Sequence, residues 1–121
     1  MAKKETLPTD AQITKFEMLN ELTESIYTEM KEFSKKKPDD ALNSFKVKNV
    51  NRVLTQIKEF LKEEPTVSFL DLLDDQTLPS NSDAILIIGQ FKAAMDNFRS
   101  KYKNKLRQWM TVESPNGQTK N

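Results

Sequence analysis

The chain has 121 residues, 36% of them hydrophobic and 31% charged, and a formal net charge of +1. It contains no histidine, no cysteine and only two glycines, Gly89 and Gly117. This composition excludes imidazole bases, thiolate nucleophiles, His/Cys metal sites and glycine-rich phosphate loops, and the small net charge argues against bulk binding to nucleic acid or anionic membrane.

At 14.0 kDa the length fits one domain that buries a single core without metal or disulfide staples. The N-terminal stretch Met1-Ala2-Lys3-Lys4 carries bases but no apolar run after them, so it does not read as a signal peptide. Residues 1–8 are expected to be flexible. The longest apolar run, Ala84 to Ile88, is five residues, far short of the ~20 that span a bilayer. A soluble cytoplasmic protein with no membrane partner is expected, and the lack of cysteine fits a reducing compartment.

The first helix opens at Thr9 and Gln12, which are spaced as a capping box. Ile13, Phe16, Leu19, Leu22, Ile26, Met30 and Phe33 follow at spacings of three and four, one apolar stripe down a helix over about 10–36. Lys35, Lys36 and Lys37 complement its C-terminal carbonyls, and Pro38 forbids continuation. Such a helix is ~40 Å long at ~1.5 Å per residue.

A second helix is expected over about 41–64, capped by Asp39 or Asp40 and ended by Pro65. Its stripe is Leu42, Phe45, Val50, Val53, Leu54, Ile57, Phe60 and Leu61. Asn43, Asn49 and Asn51 are indifferent helix formers that weaken its first turns. The short link from the first helix favours an antiparallel pair. Thr66 then caps a short connecting helix over about 67–74, which Asp74 to Pro79 breaks.

Ser80 and Asp83 make a second capping box and open a third helix over about 82–110. Ala84, Ile88, Phe91, Met95, Phe98, Tyr102, Leu106 and Trp109 alternate by four and three, the most regular pattern in the chain. Gly89 inside it suggests close approach of another backbone. Residues 111–121 contain Pro115, Asn116 and Gly117 and almost nothing apolar, so they are expected to form a disordered tail. The expectation is an all-α antiparallel bundle of three long helices and one short one, over residues 9–110.

Three clusters carry chemistry. Arg99, Lys101, Lys103, Lys105 and Arg107 are five bases in nine residues. On a helix Arg99, Lys103 and Arg107 form one stripe and Lys101 and Lys105 another, flanking Phe98, Tyr102 and Trp109. Such stripes contact phosphates, and exposed aromatics stack on unpaired bases. Bases near a helix C-terminus also serve its dipole and solvate the flanks of a buried stripe.

The second cluster, Asp71, Asp74 and Asp75, lies in a stretch (65–83) that holds four acids and no base. With Phe69, Leu70, Leu72 and Leu73 it has the look of a recognition segment, and it complements the basic 99–107 run within one chain or between two. The third cluster is Glu17, Glu21 and Glu24. All-α Mg²⁺-dependent nucleotide hydrolases need paired carboxylate motifs on neighbouring helices. Within this cluster Glu21-x-x-Glu24 has that spacing, the second helix offering Glu59 and Glu63 four apart.

The leading expectation is therefore a non-enzymatic helical interaction subunit or adaptor that self-associates or joins a larger protein, with no cofactor and no metal. A nucleic-acid-binding accessory factor is the alternative, and a Mg²⁺-dependent hydrolase the remote one.

Overall fold

The computed structural model describes residues 6–118. The expected flexible N-terminal residues 1–5 and the last three of the expected tail lie outside them. The fold is all-helical: α1 (Asp10–Lys36), α2 (Ser44–Phe60), a five-residue 3-10 helix (Pro65–Phe69) and α3 (Asn81–Tyr102). The main packing is α1 against α3. Ring contacts between Phe16 and Phe60 and between Phe16 and Phe98 place the start of α1 beside the ends of α2 and α3. Both later helices therefore run antiparallel to α1.

The helix starts follow the sequence signals. Thr9 accepts the backbone N–H of Gln12 at 3.1 Å while the Gln12 side chain accepts that of Thr9 at 2.8 Å, a complete capping box. At α3 only half of the expected box forms, Ser80 accepting the Asp83 N–H at 3.1 Å.

The boundaries that differ have tertiary causes. Helix α2 begins at Ser44 rather than near residue 41, capped by Asn43. Asp40 to Leu42 instead lie extended beside Pro79 to Asn81, exchanging the bonds Leu42 N–H to Pro79 and Asn81 N–H to Asp40. The expected connecting helix over 67–74 is the shorter 3-10 turn, because the Asn51 side chain takes both backbone groups of Leu73 at 2.9 Å. Residues 70–79 thus form an extended strap alongside α2, with Leu70 and Leu73 turned into the core.

The core holds most of the expected stripes, with two exchanges and one loss. Phe45 is exposed and Val47 is buried in its place. Val47 is three before Val50, whereas Phe45 is five before it and ~140° away around the helix. On α1, Thr23 is buried and Leu22 is exposed. Successive steps of three from Ile13 turn ~60° each, so Leu22 has walked off the groove. Thr23 satisfies its hydroxyl on the Leu19 carbonyl at 2.7 Å. Leu106, expected in the α3 stripe, is exposed because α3 has already ended.

That early end is the largest difference. Helix α3 stops at Tyr102 instead of about residue 110. Phe98 stacks on Phe16, only six residues from the start of α1, so a longer α3 has little left to pack on. The chain turns back, and Trp109 packs edge-on against Phe16 at 5.1 Å. Residues 111–118, expected as disordered, continue along the start of α1. Thr111 is fully buried, Val112 donates its N–H to the Pro8 carbonyl, and Glu113 accepts the N–H of Asp10 at 3.0 Å. Gly89, finally, faces no backbone; the Tyr27 ring lies 3.7 Å from where its Cβ would sit.

Candidate functional site

At one end of the bundle all three helices meet, and three of the candidate residues, Phe98, Lys101 and Tyr102, line the space between them. An open cleft of about 670 Å³ lies between the start of α1, the end of α2 with the 3-10 turn, and the end of α3. Phe60, Pro65 and Phe98 supply apolar lining. Three bases (Lys15, Lys62, Lys101) and three acids (Glu59, Glu63, Glu64) surround it, so the cleft has no excess of either sign.

Glu64 is the buried charge of this region, its side chain 10% exposed. Lys101 donates to one carboxylate oxygen at 3.1 Å and the Tyr102 hydroxyl to the other at 3.0 Å. A buried carboxylate needs such partners to offset its lost hydration. Burial pushes the Tyr102 phenol above its ordinary value of 10.0, the Glu64 carboxylate adding to the shift and Lys101 opposing it. The phenol therefore stays protonated and donates. Nothing in the sequence singled out Glu64; its partners lie 37 and 38 residues away along the chain.

The five candidate phosphate-contacting bases do not form two helical stripes. Arg99 lies 3.3 Å from Asp96 and over the Phe16 ring, and Lys101 faces Glu64. Lys103 lies beyond the helix, 5.0 Å above the Trp109 ring. Lys105 and Arg107 are exposed on the turn that follows. The candidate stacking residues Phe98, Tyr102 and Trp109 are each 5% exposed and pack on one another. Their ring faces are taken up by the core.

Asn104, which sequence reasoning passed over, organises that turn. Its carbonyl oxygen accepts the N–H groups of Leu106 and Gln108, and its amide donates to the Asn116 carbonyl. The short side chain replaces the helical bonds that would have continued α3. Arg107 takes a left-handed conformation, φ 63°.

The acidic candidates Asp71, Asp74 and Asp75 are exposed along the strap and the turn after it. Asp74 accepts the N–H groups of Gln76 and Thr77, and these bonds, Thr77 foremost, hold its carboxyl below the usual range. On α1, Glu24 bridges to Lys92 at 2.9 Å and raises that amine's pKa, while Glu17 and Glu21 are exposed. No group of three carboxylates able to hold a metal ion forms among the described residues. No described helix is long and apolar enough to cross a membrane.

No family model, no curated protein and no solved structure matches the chain.

Proposed function

We propose that this chain is a non-enzymatic helical interaction subunit that self-associates, working in a reducing compartment such as the cytoplasm. The absence of cysteine supports the compartment. The observation that carries the reading is the exposure of two phenylalanines, Phe45 at 74% and Phe69 at 76%. Single exposed leucines are ordinary on a soluble surface. Two exposed rings present more apolar area than leucines do, area that another protein surface can cover. Met18 and Leu22, one helical turn apart on α1, add to it at 51% and 45%. The polar chemistry by contrast turns inward, Glu64 being closed by Lys101 and Tyr102.

A nucleic-acid accessory role rested on a continuous basic helix, which the turn after Tyr102 interrupts. Light scattering at micromolar concentration tests the proposal. A mass above the monomer's 14.0 kDa is expected, falling toward it when Phe45 and Phe69 are both replaced by serine. A wild-type chain that stays monomeric at every concentration overturns the self-association.

A further inference from the structure

Two exposed segments of opposite charge share no ion pair among the described residues. The first is the turn after α3. Asn104 fixes it from within, and Gly117, at φ 128°, seals its base where a Cβ would fall 2.5 Å from the Asn104 amide. A non-glycine residue at positive φ is uncommon, so Arg107 marks a shape imposed on the turn. At its tip Leu106 is 77% exposed between two exposed cations, Lys105 and Arg107. This is a fixed apolar knob flanked by positive charge.

The second surface is the strap. Asn51 pins it at Leu73, and the stretch from Pro65 to Asp83 has four acids and no base. Phe69 and Leu72 are exposed, at 76% and 39%, with Asp71 beside them. An exposed aromatic ring and a carboxylate two residues apart in the chain suit an incoming guanidinium, which can stack on one and pair with the other.

The knob and the strap do not meet within one chain. The knob follows the end of α3, whereas Asn51 holds the strap on α2. No ion pair among the described residues joins Lys105 or Arg107 to Asp71, Asp74 or Asp75.

Resting on the reading of this chain as self-associating, we infer that copies join head to tail, the Lys105-Leu106-Arg107 knob of one seating on the Phe69-to-Leu72 strap of the next. The neutral rim of the cleft is the poorer match for a doubly cationic knob. Because the two surfaces differ, the contact is heterologous. Each copy keeps one free knob and one free strap, and growth continues unless a ring closes.

The test uses two variants of the full chain. One carries Lys105→Ser, Leu106→Ser and Arg107→Gly; the other carries Phe69→Ser, Asp71→Asn and Leu72→Ser. All six positions are exposed, so circular dichroism should match wild type. If a triple variant unfolds, Leu106→Ser and Phe69→Ser alone replace it. Sedimentation velocity should show wild-type mass rising with concentration and falling with salt. Each variant should associate at least roughly tenfold more weakly, as loss of an anchor does. Their equimolar mixture should form a one-to-one pair and nothing larger, because it holds a single kind of intact knob and strap.

Wild-type association unchanged in both variants would overturn the head-to-tail contact while leaving self-association standing. So would failure of the mixture to pair. A wild type monomeric throughout would overturn both readings. Flotation of that monomer with anionic phospholipid vesicles, lost in Leu106→Ser, would make the knob a membrane contact instead.

Discussion

Glu113 accepts the backbone N–H of Asp10 at 3.0 Å, a bond between residues 103 apart in the chain. A carboxylate there satisfies one of the free donors of the first turn and faces the positive end of the helix dipole. The C-terminal segment is therefore part of how α1 begins. Glu113→Ala should cost ~1 kcal/mol by urea unfolding, in line with loss of a cap. A chain ending at Met110, which also loses the Val112 and Gln118 bonds to Pro8 and Asp10, should lose more.

The Tyr102 hydroxyl bonded to Glu64 predicts a pH dependence on the alkaline side. The phenol is raised above 10.0 and the Lys92 amine above 10.5, so folding favours the protonated form of each. The stability they contribute is complete below those values and is lost as the pH rises through the raised folded ones. Tyr102→Phe should cost ~1.5–3 kcal/mol at neutral pH, the worth of a hydrogen bond to a charged group. It should also flatten the alkaline fall of the melting temperature, and Lys92→Met should do so independently.

The two glycines should respond in opposite directions. Gly89→Ala places a methyl in ordinary contact with the Tyr27 ring inside a helix. It should stabilise by ~0.5–1 kcal/mol on helix propensity. Gly117→Ala meets Asn104 and Gln108 at a positive φ. It should destabilise by more than ~1 kcal/mol. Thermal melts of the pair decide both.

Asn51 should prove the clamp of the strap. Asn51→Ala removes both bonds to the Leu73 backbone, at a cost of ~2 kcal/mol. Hydrogen exchange at the Leu73 amide should accelerate more than exchange within α3. Equal acceleration everywhere would mean that the strap opens only with the whole fold.

The bases of the C-terminal run should separate into two groups. Arg99→Ala and Lys101→Ala remove contacts to Asp96 and Glu64 and should lower the melting temperature. Lys105→Ala should leave it unchanged, and Arg107→Gly should leave it unchanged or raise it, since glycine accepts φ 63° freely. Filter binding to single- and double-stranded nucleic acid at low salt should detect no retention. Retention with a steep salt slope would restore the nucleic-acid reading.

What the sequence determined by itself is local. Thr9 with Gln12 and Ser80 before α3 are starts written in side chains that bond their own first turn. Pro38 is a stop because proline has no N–H to give, whereas α2 ends at Phe60, ahead of Pro65, which opens the 3-10 turn instead. The three-and-four spacing of Phe16, Val50, Leu54, Ile88 and Phe98 fixed an all-helical core, since only helices bury that period. The acids of the strap and the cations of the 99–107 run were equally plain as composition.

Only the tertiary structure decided where those elements yield to their neighbours. Helix propensity carried α3 through Leu106, but the start of α1 beside Phe98 removed the surface on which further turns could pack, and Asn104 closed a turn instead. Asn51 reads as a weak helix former until Leu73, 22 residues away, supplies the backbone groups it bonds. Glu64 reads as one more surface acid until Lys101 and Tyr102 close over it. Each of these depends on a partner distant in the chain, and periodicity records only the spacing of near neighbours.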